Sequence, residues 1–189
     1  MNGVMNWVDE ASQSLFGSWL LLVRDTGGYR YFAQSEAGFW RSFSAIVIIA
    51  PLYLYASTVQ VEFPPEAAAP SPSLAAAMVG LVLQWIGWPL AMVFIARFVG
   101  LQQGYARYII AYNWSSVLVI ALLMPPLILL DVGLVSAGFA VFLSFALMLV
   151  SLYYRWYVAQ TAFGTSGPIA AALVLADVAL SLMVSRLVA

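Results

Sequence analysis

The residues of this chain predict an all-α fold: a polytopic membrane bundle of five transmembrane helices preceded by an amphipathic interfacial helix. Three observations point there. Of 189 residues, 64% are apolar and only 8% charged, against about 45 to 50% and about 25% in soluble domains. Cutting the sequence at its charges leaves five stretches of the roughly 20 residues that cross a bilayer core as a helix. The arginines also gather in alternate connections, as multi-span proteins arrange them.

A cytoplasmic or interfacial segment, residues 1–38, is expected to precede a membrane domain at 39–189. It carries Asp9, Glu10, Arg24, Asp25, Arg30 and Glu36 and has no uncharged run long enough to span. Val4, Trp7, Val8, Ala11, Leu15, Trp19 and Leu22 recur at three and four, with Asn6, Asp9, Glu10 and Gln13 opposite. That pattern predicts a helix lying in the interface on its apolar face. The same stretch has two acids and no basic n-region, which argues against a signal peptide. Gly27 and Gly28 predict a turn, and Ser35 a cap for the helix entering the membrane at Phe39 and Trp40.

Five spans follow, at about 41–60, 73–97, 107–130, 133–154 and 168–187. Backbone groups in lipid must be satisfied internally, so each run reads as a helix. Pro51, Pro89, Pro125 and Pro126 lie inside these helices and should bend them. The connection after the first span holds Glu62, Pro64, Pro65, Pro70 and Pro72 and no base; the third is Asp131, Val132 and Gly133. Arg24, Arg30, Arg41, Arg97, Arg107 and Arg155 then share one side, read as cytoplasmic, with Arg186 opposite. The N-terminus is expected inside and the C-terminus outside, in a bacterial inner membrane, arginine without lysine and abundant alanine reading as GC-rich codon usage. Within the cytoplasmic basic face, Arg97, Arg107 and Arg155 should reach toward lipid headgroups or a docking partner. Phe39, Trp40, Tyr105, Tyr108, Tyr153, Tyr154, Trp156 and Tyr157 read as an aromatic belt on that side.

Composition removes most chemistry. The chain has no Cys, His or Lys, which excludes disulfides, thiolate metal sites, imidazole couples, Schiff-base lysines and P-loops. Seven dispersed arginines make no nucleic-acid footprint. No catalytic residue, metal ligand or cofactor is therefore expected, and the partners are the lipid bilayer and another membrane protein or a second copy.

One polar cluster remains. Asp177 falls near the middle of the fifth span, with Ser181 and Ser185 four and eight residues on, along the same helical face. A carboxyl in hydrocarbon must face protein and find a partner, and with no other ionisable group assigned to a span it is expected to keep its proton and donate. Asn113 in the third span and Gln84 in the second match its depth as acceptors. The readings are interhelical glue, a proton or ion path, or a contact awaiting another subunit. Ala76 with Gly80, Ser136 with Ala140 and Ser144, and Ala172 with Ala176 offer small-residue contacts.

The third span opens with Tyr112, Asn113, Trp114, Ser115 and Ser116 and ends in Pro125 and Pro126. With the N-terminal amphipathic segment and five closely spaced spans, this layout resembles bacterial relatives of the Yip family from about residue 15 onward. These are small five-span proteins whose eukaryotic members interact with Rab GTPases and influence membrane traffic. The acidic-Leu-x-Gly-Pro motif of the eukaryotic branch is missing, so none of its residues carries over and no Rab partner is implied. What the resemblance implies is a non-enzymatic scaffold, assembly factor or accessory subunit that organises partners or lipid. The alternative is a small solute or proton transporter using Asp177.

Overall fold

A computed structural model describes residues 6–59 and 73–188, and within them every regular element is helical. Val4 and the proline-rich connection with Glu62 lie outside the described residues. The order is α1 (Trp7–Leu22), a 3₁₀ turn (Thr26–Tyr31), α2 (Glu36–Ser42), a 3₁₀ turn (Phe43–Ala45), α3 (Ile46–Thr58), α4 (Leu74–Val99), a 3₁₀ turn (Gln102–Gly104), α5 (Tyr105–Asp131), α6 (Ala137–Phe163) and α7 (Gly167–Val188). Five helical stretches can cross a membrane: Glu36–Thr58, Leu74–Val99, Gln102–Asp131, Ala137–Phe163 and Gly167–Leu187. The outward faces of α4, α6 and α7 carry Ile86, Leu90, Phe94, Phe142, Phe145, Leu175 and Leu182, all exposed. In water so much continuous apolar surface would aggregate. It belongs in lipid, and the chain is a multi-pass membrane protein.

Local chemistry sets the boundaries. Ser35 caps α2 by accepting from Gly38 N at 3.1 Å, as the sequence predicts, and Ser73 and Ser136 cap α4 and α6 in the same way. Gly100 and Gly164 close α4 and α6 in the left-handed conformation, at φ 76° and 60°. The prolines do not interrupt their helices: α3, α4 and α5 run through Pro51, Pro89 and Pro125–Pro126. α5 is central and packs against α1, α2, α3 and α6, so that Ile109, Ile110, Ala111, Asn113 and Trp114 are all sealed.

Two expectations are corrected. α6 continues to Phe163, well beyond the expected end at 154, because a single arginine that finds a partner does not stop a helix. And α1 is not held by the interface alone, because one of its faces is covered by protein. Its buried face is Glu10, Ala11, Ser14, Gly17, Ser18 and Leu21, packed against α5 and α6, while Trp7, Val8, Phe16 and Trp19 point outward. Small residues allow backbones to approach closely, and here they do: a Cβ on Gly17 would sit 2.7 Å from the Gly28 carbonyl oxygen. α1 thus shares one core with the spans, through Ala11, Leu21, Tyr29 and Phe32.

The turn after α1 is held by α6. Arg24 adopts a left-handed φ of 68°, unfavourable for a residue with a side chain. Its carbonyl accepts from the Tyr157 hydroxyl at 2.8 Å, and its guanidinium lies over the Tyr153 and Tyr157 rings. Tyr29 is buried and bonds to the Val158 carbonyl at 3.0 Å and Thr161 Oγ1 at 2.9 Å. The expected aromatic belt therefore divides. Trp40 and Tyr153 remain exposed, whereas Tyr108, Tyr154 and Tyr157 are buried among the helices.

Candidate intramembrane site

α7 places Asp177 ten residues from its first residue, about 15 Å along the helix. Its carboxylate is almost fully buried and faces two side chains from different helices. Arg155 of α6 donates from Nη1 to Oδ2 at 2.8 Å, and Tyr112 of α5 donates its hydroxyl at 3.1 Å to Oδ1 and 3.2 Å to Oδ2. The Arg155 guanidinium also covers the Tyr112 ring, 4.8 Å from its centroid. Beneath lies Tyr108, buried, whose hydroxyl accepts from Trp88 Nε1 at 2.9 Å. Carboxylate, guanidinium and phenol thus tie α5, α6 and α7 together.

The partners differ from those expected. Asp177 meets neither Asn113 nor Gln84. Asn113 turns the other way and donates to Ser42 Oγ at 2.9 Å, between α5 and α2. Arg155 does not join Arg97 and Arg107 on an exposed basic face. Arg97 and Arg107 are exposed, the latter 4.0 Å over the Tyr29 ring, but Arg155 turns inward. Ser185 is exposed and donates to the Ser181 carbonyl at 2.9 Å.

The sequence did hold a signal for the pair. α6 and α7 are antiparallel neighbours joined at Gly164, so residues at similar distances from that glycine share a depth. Arg155 lies nine residues before it and Asp177 thirteen after. The difference, about 6 Å of helix rise, is within an arginine's reach.

Beside the pair, a partly open cavity of about 240 Å³ lies among α3, α4, α5, α6 and α7. One part of its wall is polar: Arg155, Tyr112, Ser116, Gln84, Tyr53 and Ser181. The remainder is Ile49, Leu81, Trp85, Val119, Ile120 and Leu123. Of the predicted polar cluster, Gln84 and Ser181 therefore line one space with Arg155, and Asp177 stands behind it. Known protein families, curated proteins and solved structures contain no match to this chain.

A second polar region runs under α1. Glu10 pairs with Arg41 Nε at 2.6 Å, and Tyr154 donates to the Ser18 carbonyl at 2.7 Å while lying 2.8 Å from the Ser115 hydroxyl. Within this seam Ser14 Oγ, Ser18 Oγ and Asn113 Oδ1 are buried without a hydrogen-bond partner. It fastens α1 to the bundle less completely than the Asp177 cluster fastens α7. Outside the spans, burial pushes the Tyr29 hydroxyl up to about 12, so it remains a donor across the physiological range.

Proposed function

We propose that this chain is a non-catalytic scaffold, assembly factor or accessory subunit of a bacterial inner membrane, organising lipid or partner membrane proteins. The observation that carries the reading is the cavity, with apolar walls and one polar end held by Arg155. Such a space suits an amphiphile that enters head first. Binding rather than turnover is supported by the side chains around it, because the chain has no His, Cys or Lys and the Ser116 hydroxyl donates to the Tyr112 carbonyl at 2.8 Å. That serine has no base to activate it. Arg24, Arg41, Arg97 and Arg107 all lie toward the end of the bundle where α1 packs. Their position favours an N-terminus in the cytoplasm and a C-terminus outside. The layout's resemblance to bacterial Yip relatives agrees with a non-enzymatic role.

Native mass spectrometry of the protein released gently from its own membrane tests the proposal. Reproducible lipid adducts, or a complex with another membrane protein, are expected. Bare protein under conditions that preserve lipid on a control membrane protein would refute it.

A second reading, a small transporter, is favoured by one observation: the Arg155–Asp177 pair, 2.8 Å apart, borders the cavity. Flux into proteoliposomes that Asp177→Asn abolishes would support transport, and flux that the substitution leaves unchanged would remove Asp177 from the path.

A further inference from the structure

We infer that the cavity takes the oxyanion end of a single-chain amphiphile, a carboxylate or another singly charged oxyanion, on the free edge of Arg155, with one proton taken up by Asp177 for each anion bound. This rests on the lipid-organising reading and specifies what that site holds.

Three observations combine. A guanidinium carries five N–H donors in a planar fork that fits an oxyanion on two of them. Among the described residues its hydrogen-bonded partner is Asp177, through Nη1, and Tyr112 covers one face. The Arg155 side chain nevertheless retains 23% of its surface, and the residue lines the cavity. Gln84, Tyr53 and Ser181 supply amide and hydroxyl donors around the same space. At about 240 Å³, it has the volume of roughly eight waters. That accommodates a headgroup and a few methylenes against Leu81, Val119 and Leu123, with the tail leaving by the open side toward lipid.

Charge balance supplies the proton. Arg155 and Asp177 cancel each other, so an arriving anion would leave an uncompensated negative charge inside the bundle, which low dielectric strongly disfavours. Tyr112 and Tyr108 face the pair from α5, and both are phenols, which carry no charge at neutral pH. α6 adds only Arg155 itself, since Tyr154 points to Ser18. α4 presents Gln84 and Trp85, with its one ionisable residue, Arg97, in its last turn, and α3 presents Tyr53. Asp177 is therefore the group among the described residues that can cancel the charge, by taking a proton from surrounding water while Arg155 moves its bond to the anion.

The test uses the full chain in dodecyl maltoside and Trp85 as the reporter, because that indole lines the cavity. The probe is 10-bromodecane-1-sulfonate, an oxyanion that does not titrate between pH 5 and 9, so any pH dependence belongs to the protein. Quenching of tryptophan emission that disappears in Trp85→Phe is expected, with affinity weakening about tenfold per pH unit as Asp177 becomes harder to protonate. Asp177→Asn should bind with no pH dependence and at least tenfold more tightly at pH 8. Arg155→Gln should lose at least tenfold for the sulfonate and little for 10-bromodecan-1-ol. Should either variant fail to fold, the wild-type pH slope and the preference for sulfonate over alcohol decide the matter alone. Equal binding of sulfonate and alcohol without pH dependence would overturn the oxyanion and proton while leaving the lipid reading intact. Displacement of the probe by equimolar inorganic sulfate would overturn the amphiphile in favour of a free anion. No quenching by either probe would remove the lipid reading and this inference together.

Discussion

Removing one member of the Arg155–Asp177 pair should destabilise the protein in a way that depends on which member is left. Breaking a buried pair costs about 3–5 kcal/mol because a charge is stranded. In Arg155→Leu the stranded group is Asp177, 6% exposed, and it has an escape: it can take a proton. Protonating a carboxyl of reference value about 3.9 at pH 7 requires about 4 kcal/mol, and at pH 5 only about 1.5 kcal/mol. That work is the ceiling on the penalty. Arg155→Leu should therefore lower the thermal midpoint by about 6–16 °C at pH 7 and about 3–6 °C at pH 5, at roughly 2–4 °C per kcal/mol for a chain of this size. Asp177→Leu strands a guanidinium that cannot shed its proton, so its penalty should be the same at both pH values. The double variant has no charge to strand. It should lie close to wild type, short only of an acceptor for the Tyr112 hydroxyl, worth about 1–3 kcal/mol. Loss of monodisperse protein on heating in dodecyl maltoside measures all four. A double variant as unstable as the two singles summed, or an Arg155→Leu penalty unchanged by acid, would refute the reasoning.

Three further perturbations probe the N-terminal helix and its turn. Gly17→Ala should gain about 1 kcal/mol by helix propensity alone, but its Cβ would meet the Gly28 carbonyl at 2.7 Å, so a loss of about 1–3 kcal/mol is expected; a higher melting temperature would show that α1 does not pack this closely. Glu10→Gln leaves Arg41 nearly half exposed, at 47%, so water screens what remains and about 0.2–1 kcal/mol should be lost. That loss should appear as faster amide exchange confined to α1, and unchanged exchange there would deny the contact. The Tyr29 hydroxyl, raised from 10.0 to about 12, contributes stability fully present below pH 10 and lost as pH rises through 12. Wild type should thus lose about 1.4 kcal/mol per pH unit across that window relative to Tyr29→Phe, and parallel pH curves for the two would rule the linkage out.

The number and type of the helices were legible in the sequence because bilayer thickness imposes one length and lipid imposes one backbone solution. The cap at Ser35 is local, and the local rule finds it. The outward face of α1 with Trp7, Val8 and Trp19 was legible, but its protein-covered face was not, because the amphipathic rule assumes that an interfacial helix has water on one side and apolar matter on the other. Here protein competes with lipid for the same helix. α5 and α6 offer Ser115 and Tyr154 at the level of Ser18, and Arg41 of α2 meets Glu10, and close approach favours serine and glycine over tryptophan. Lipid then receives Trp7, Phe16 and Trp19. Where both environments are apolar, residue size and hydrogen bonding decide the face, and hydrophobicity does not.

The same reasoning explains why the site was half seen. A membrane charge is expensive only while unpaired, so cutting the chain at charges finds spans that contain none and truncates those whose charge is paired. By that rule Arg155 falls at a boundary, and Asp177 reads as a lone acid. The energetics pointed the other way. A lone carboxyl in hydrocarbon pays either desolvation or, at pH 7, about 4 kcal/mol for a proton, whereas a cation 2.8 Å away removes both. An acid inside a span is thus itself a prediction of a cation at the same depth on a neighbouring helix. Of the seven arginines, Arg155 alone lies in the helix that joins directly to α7, nine residues before its closing glycine. Pairing by depth before cutting by charge would extend α6, fix its packing against α7, and direct Arg155 to the cavity where its remaining donors stand.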